Sequence, residues 1–269
     1  CWTTTSLDCR QKYALYKKRR SSTTMIQDDI SKWIKRYANE NNRKTLVVGI
    51  SGGIDSSVVS TLCAMTRMKT IAVSMPINQI EDQHDLSMDH GSWLEEKFNN
   101  VTHEVIDLNR TYERFWLDTF NDYGSEHAFA NTKARLRMLT LHHISGAKKG
   151  LVVGTGNKVE DFGVGFYTKY GDGGVDISPL ADLMKSEVWQ LGKDLGVLQE
   201  IIDAPPTDGL WEDGRTDKDQ LGGLTYEQME RAMELDEKGA IAIGTDIDLL
   251  DRYHSIRKLN LHKMDPIPI

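Results

Sequence analysis

The sequence predicts an α/β fold: a doubly wound parallel sheet with helices on both faces. Three observations carry this. Short apolar runs alternate with longer stretches of helical periodicity, the pattern of strands joined by helical crossovers. Two of these runs, residues 46–50 and 151–153, pass directly into glycine-bearing turns. At 269 residues the chain is long enough to bury one large core.

The elements follow in order. Residues 28–39 read as a helix, with Ile26, Ile30, Trp33, Ile34 and Tyr37 on one face. Residues 45–50 are the first strand and 56–66 its helix. Residues 70–75 form a second strand, closed by Pro76, and 81–98 a polar helix with acids at its start. A third strand spans 101–108, helices span 111–120 and 131–146, and a short buried strand spans 151–154. Beyond it, 167–176 is rich in glycine and polar residues, hence a loop. A helix over 185–195 follows the break at Pro179. Residues 204–223 hold two prolines and four glycines, too long for an ordinary connection, so they are either disordered or a lid. Two amphipathic helices, 225–238 and 246–259, complete the chain.

Composition excludes several classes. No apolar run approaches the ~20 residues of a membrane span, and no apolar signal segment stands at the N-terminus. Cys1, Cys9 and Cys63 are too few for a disulfide framework and show no metal spacing, so a reduced, cytoplasmic setting is expected. The net charge is −7, but residues 1–24 carry six basic side chains and one acid. An acidic body argues against nucleic acid as a partner, because tracking phosphates needs a basic surface. Residues 1–24 read as a non-globular extension and 25–269 as one domain.

The chemistry begins at Ser51, Gly52, Gly53, Ile54, Asp55, Ser56 and Ser57, after the first strand. Strand, glycine turn and helix start together present backbone N–H groups to an anion. Adjacent glycines let the backbone approach a phosphate closely, and the serines add donors. Asp55 repels phosphate unless a cation lies between them. The segment therefore predicts a nucleotide phosphate site with a divalent metal. No lysine follows the glycines, so it is not the common phosphate-binding loop. Residues 154–156 end a second strand, and ligands of such sheets bind at the carboxyl ends of the strands.

Ser-Gly-Gly-x-Asp-Ser after a strand resembles the pyrophosphate loop of the N-type ATP pyrophosphatases. Three further segments narrow this: Gly154 to Glu160 (GTGNKVE), Phe166 to Asp176 (FYTKYGDGGVD) and Ile177 to Lys185 (ISPLADLMK). Together they resemble the ammonia-dependent NAD synthetases over roughly residues 25–266. The stretch between Glu160 and Phe166 runs one residue longer than in some relatives.

The resemblance implies an adenine nucleotide alpha hydrolase-like fold and a ligase forming a C–N bond. ATP would adenylate the nicotinate carboxylate of deamido-NAD, and ammonia would displace AMP to give NAD. It also implies roles by position. Ile50, Ser51, Gly52, Gly53, Ile54, Asp55, Ser56 and Ser57, with Thr155, Lys185 and Thr207, would bind ATP. Asp55 and Glu160 would hold Mg²⁺. Lys133, Arg135, Lys169, Asp172, Asp176, His262 and Lys263 would bind deamido-NAD. Asp172, Lys185 and Asp55 would be catalytic, with Asp172 handling ammonium. The family is homodimeric.

About 45 residues precede the loop strand, too few for a glutaminase domain of ordinary size, so free ammonia is the expected nitrogen source. A GMP synthetase would lack the block from Lys169 to Asp176. A tRNA-thiolating enzyme needs cysteines and a basic face. A sensor without catalysis has no use for Asp55, Glu160 and Lys185 together.

Overall fold

The computed structural model describes residues 25–211, 216–239 and 244–269. The expectations for Cys1, Cys9 and the basic segment before Met25 lie outside them. Four parallel strands form one sheet in the order β3-β2-β1-β4. These are β1 (Thr45–Gly49), β2 (Lys69–Ser74), β3 (Val101–Val105) and β4 (Gly150–Val152). Val47 of β1 pairs with Ile71 on one side and Val152 on the other, so β1 is central.

The alternation of side chains along β1 divides the core. Leu46, Val48 and Ile50 face helices α1 (Ile26–Glu40), α2 (Ile54–Met65) and α3 (Glu81–Lys97), and also α6 (Lys185–Leu195). Val47 points the other way, with Ile71, Val73 and Val152, against α4 (Asn109–Tyr123) and α5 (Glu126–Lys148). A parallel strand covered on both faces reads as a continuous apolar run, as residues 46–48 do. Each fully buried aliphatic contributes about 1.5–3 kcal/mol.

A third, smaller cluster lies beyond β4. There a π-helical segment (Lys158–Val164) packs its Val159 and Val164 against α9 (Tyr226–Lys238) and α10 (Thr245–Met264). The π-segment covers most of the stretch between Glu160 and Phe166. Short helices α7 (Gln199–Asp203) and α8 (Asp217–Gln220) fall within or beside the long connection and have no clear periodicity in the sequence.

Most boundaries match expectation to within a few residues. The largest differences are at α5 and α10. The α5 helix begins at Glu126 rather than 131, because Ser125 caps it by accepting from Ala128 N–H at 3.4 Å. The α10 helix continues to Met264 because Asn260 and Lys263 anchor its last turns to the π-segment and to Tyr167. Strand β3 stops at Val105, three residues short of the expected end.

Candidate active site

A cavity of about 460 Å³ opens at the carboxyl ends of β1 and β4, the size of a small-molecule site. The loop from Ser51 to Ser56 forms one wall. Gly52 sits at φ +85°, and a Cβ there would lie 2.6 Å from the Gln83 carbonyl oxygen. Only glycine fits this turn between β1 and α2, which packs against α3. Ser56 and Ser57 hydroxyls donate to Gly53 O at 2.9 and 3.0 Å, and Ser51 N–H donates to Ser56 Oγ at 3.2 Å. These bonds hold the loop against the positive end of α2. Gly52→Ala is expected to cost about 1–3 kcal/mol in stability and to weaken ATP binding, read by thermal melting and nucleotide titration. Wild-type values in both would contradict the steric account.

Asp55, in the first turn of α2, meets two residues from distant parts of the chain. Lys185 opens α6, whose Gly192 lets that helix close on α2; a Cβ there would lie 2.6 Å from Ile54 Cδ1. The Lys185 ammonium therefore reaches both Asp55 Oδ2 and Glu160 Oε1, the latter at 2.8 Å. Its side chain is only 3% exposed. Asn157, fully buried after β4, accepts at Oδ1 from Val159 and Glu160 N–H at 3.0 and 3.1 Å. Its Nδ2 donates to Asp55 Oδ1 at 3.1 Å, tying the two strand ends together.

Tyr226, at the start of α9, adds a second donor to Glu160. Its hydroxyl lies 2.5 Å from Glu160 Oε1 and 2.7 Å from Asp217 Oδ2. One phenolic proton cannot serve two carboxylates. The set is satisfied when Asp217 keeps its own proton, donates to Tyr226 and leaves the phenol to donate to Glu160. Burial, then the Glu160 charge, pushes the Asp217 carboxyl up to about 7. Burial alone would raise Glu160, but Lys185 and Tyr226 outweigh it and hold Glu160 below the ordinary range. For Asp55 burial prevails over Lys185, and its pKa is raised. Lys185 goes up, because the two carboxylates outweigh its own desolvation.

Two carboxylates converging on one buried cation suit Mg²⁺, which takes hard oxygen ligands and commonly uses one or two carboxylates beside substrate phosphates. Among the described residues no cluster of three or more metal-ligating side chains is present. Asp55 and Glu160, the two carboxylates that meet at Lys185, are the pair available to such an ion.

At the other end of the cavity Asp172 Oδ1 accepts from Thr168 N–H at 2.9 Å. Desolvation lifts its carboxyl to about 6. Asp161 also lines the cavity, raised by burial and then by the Asp172 charge. Lys263 donates to Tyr167 O at 2.7 Å, and Tyr167 OH donates back to Lys263 O at 2.7 Å, so α10 clasps the loop that carries Asp172.

Of the residues expected from the sequence, Ile50 to Ser56, Thr155, Glu160, Asp172, Lys185 and Thr207 line this cavity. Ser57 lies behind it as a helix-start donor. Lys133 is buried and donates to Leu210 O at 3.1 Å, so it ties down the connection after α7. Residues 204–210 line the cavity, and 212–215 of the expected lid lie outside the described residues. Asp176 Oδ2 accepts from Val152 N–H at 2.8 Å and so caps the edge of β4. Arg135, Lys169 and His262 form a neighbouring group: Arg135 donates to Lys169 O, and Lys169 donates to His262 O, both at 3.1 Å. Asn157, Asp217 and Tyr226 are not singled out by the sequence, and Asp161 is there set aside as metal ligand in favour of Glu160 on its spacing from Gly154. Only Asn157 had a signal, as a capping residue two before the π-segment's Val159.

A serine-glycine loop at one strand end, facing a carboxylate pair and a lysine, defines a nucleotide-phosphate-using α/β enzyme. Comparison with known proteins narrows the class. The family model described as NAD synthase matches residues 26–264. The chain is 36% identical over 248 residues to the NH(3)-dependent NAD(+) synthetase of Alkaliphilus metalliredigens, covering 88% of this chain and 94% of that protein. Its counterpart in Carboxydothermus hydrogenoformans is 34% identical, with 86% and 90% covered. Among solved structures, NMN synthetase from Francisella tularensis superposes with a TM-score of 0.80 at 30% identity, covering 91% of this chain and 96% of that one. The chain belongs to the NAD synthase family.

Proposed function

We propose that the chain catalyses ATP-dependent amidation of deamido-NAD to NAD with ammonia as nitrogen donor. As a member of the NAD synthase family it is a ligase that forms a C–N bond. One observation carries the residue assignment: Asp55 and Glu160, from two strand ends, converge on the Lys185 ammonium beside the serine-glycine loop. A carboxylate is a poor electrophile, so its oxygen must first become a leaving group. The substrate carboxylate attacks the α-phosphorus of ATP, and pyrophosphate departs. Ammonia then attacks the acyl carbon, loses a proton, and AMP leaves.

The chain's residues divide this work. Ser51, Gly52, Gly53 and Ser56 bind the β- and γ-phosphates, while Lys185 and Thr207 neutralise and orient them. Thr155 lies beside the adenosine. Asp55 and Glu160 would hold Mg²⁺, which when bound would supply charge neutralisation for the departing pyrophosphate. Asp172 attracts ammonium and takes its proton. Arg135, Lys169, His262 and Lys263 bind the dinucleotide from the outer rim, and Lys133 and Asp176 support it through the backbone they anchor.

We also propose a homodimer and a cytoplasmic setting. Phe115, Leu117, Phe120 and Tyr123 on α4 and Leu139 on α5 leave exposed apolar surface. Such surface marks an interaction site. No helix of the described residues is long and apolar enough to cross a membrane.

One observation favours a second acceptor. The Francisella structure is an NMN synthetase, so nicotinate mononucleotide is the alternative substrate. The test incubates purified chain with Mg-ATP and ammonium plus deamido-NAD, nicotinate mononucleotide or xanthylate. NAD, AMP and pyrophosphate are expected with deamido-NAD, nothing with xanthylate, and no turnover when glutamine replaces ammonium. A higher kcat/KM for the mononucleotide would move the acceptor assignment. Sedimentation of the same preparation as a monomer would remove the dimer.

A further inference from the structure

We infer that Tyr226, with the buried Asp217 carboxyl beside its hydroxyl, is a positioning residue of the metal site, holding the Glu160 carboxylate in the orientation that receives a divalent cation. The inference rests on the metal reading above and adds an outer layer to it. Glu160 lies in the first turn of the π-segment, and its carboxylate is held by side chains from other elements. Two donors converge on its Oε1: Lys185 at 2.8 Å and Tyr226 at 2.5 Å. Lys185 has a second carboxylate to serve and is itself expected to turn to phosphate, so it cannot alone fix Glu160 through the reaction.

Tyr226 can. Its backbone is set by the Thr225 cap, whose hydroxyl accepts from Gln228 N–H at 3.2 Å. Its ring meets the edge of Trp189 at 5.8 Å and lies 4.9 Å from the Lys185 ammonium. Neither contact uses the hydroxyl. The hydroxyl proton has a choice between Glu160 and Asp217, and Asp217 decides it. Asp217 is 4% exposed, and its Oδ1 has no hydrogen-bond partner among the described residues, so this carboxyl is poorly placed to carry a charge. As a neutral donor to the phenol oxygen it leaves the phenol proton for Glu160. Groups that orient a ligating carboxylate typically tune metal affinity 10–100-fold. Because Asp217 and Tyr226 belong to α8 and α9, metal affinity then depends on the small third layer being docked.

The test measures Mn²⁺ held by the protein with a non-hydrolysable ATP analogue, counting free ion by electron paramagnetic resonance against the analogue alone. It also measures the Mg²⁺ dependence of the rate. Tyr226→Phe keeps the ring contacts and is expected to melt like wild type. It should hold Mn²⁺ roughly tenfold more weakly and regain most of its rate at high Mg²⁺. Asp217→Leu removes the competing acceptor, leaves Glu160 as the phenol's one partner, and should hold Mn²⁺ to within about threefold of wild type. Asp217→Asn still donates to the phenol and should keep wild-type affinity to within about threefold. Tyr226→Phe with wild-type Mn²⁺ affinity would overturn the inference, as would Asp217→Leu losing as much as Tyr226→Phe. Wild-type protein holding no Mn²⁺ beyond the analogue would instead strike at the metal reading itself.

Discussion

Lys185→Met is expected to lower stability by about 3 kcal/mol at neutral pH and kcat by at least about a hundredfold. Methionine matches the length of the lysine stem but leaves Asp55 and Glu160 facing each other across a buried site with no cation between them. Removing one member of a buried ion set costs more than the set was worth, because the partners stay desolvated. The sign with pH follows. In wild type the raised Lys185 pKa contributes stability that is present below the ordinary lysine value and lost only in strong alkali. In the variant burial dominates both carboxylates, which gain protons more readily folded than unfolded, so its stability should fall as pH rises above the ordinary carboxylate range. The deficit in melting temperature should therefore be larger at pH 8 than at pH 5. Added Mg²⁺ should restore part of it, since another cation then fills the same role, while wild type should respond less. A variant that melts like wild type at pH 8, or one indifferent to Mg²⁺ at that pH, would show that this trio is not a shared cation site.

The parts of this site that were legible in the sequence are those fixed by local chain physics. The Ser51 to Ser56 loop announces itself because a buried strand, two glycines and a helix start are contiguous, and the Gly52 φ of +85° is a backbone demand that only glycine meets cheaply. The Thr45–Gly49 strand was equally plain, because burial on both faces leaves an uninterrupted apolar run. The outer partners were not legible, since nothing near Tyr226 or Asp217 in sequence speaks of Glu160, more than fifty residues earlier. Their meeting depends on how the third layer docks, which is a packing outcome. Ser57 and Lys133 show the converse. Their residue types suit ligand binding, but they bond Gly53 O and Leu210 O and do not line the cavity. A motif fixes which residue stands at a position, whereas the backbone it meets decides whether the side chain reaches the cavity.

Asp172→Asn is expected to leave adenylation intact and to slow amide formation by about 10²–10⁴-fold, the usual worth of a positioned proton acceptor. The substitution is close to isosteric. Asparagine Oδ1 can still accept from Thr168 N–H, as Asp172 Oδ1 does at 2.9 Å, so the loop should keep its shape. What is lost is the charge that attracts ammonium and the lone pair that takes its proton. Exchange of labelled pyrophosphate into ATP reports the first step alone and should persist. Release of NAD requires the second and should collapse. The pH dependence sharpens the test. Desolvation raises the Asp172 carboxyl to about 6, so the wild-type amidation rate, expressed per unprotonated ammonia, should fall as pH drops through about 6. The variant has no group to lose there and should show no such limb. Stability must move the other way. A carboxylate whose pKa is raised on folding costs stability as pH climbs from 3.8 to about 6 and above, so Asp172→Asn should be at least as stable as wild type at pH 8. A slow variant that is also unstable would be a folding lesion. A slow, stable variant that has lost pyrophosphate exchange would move Asp172 from the ammonia step to the adenylation step. A variant with the wild-type rate and wild-type acid limb would assign the proton transfer to another group, of which Asp161, raised in the same cavity wall, is the first to examine.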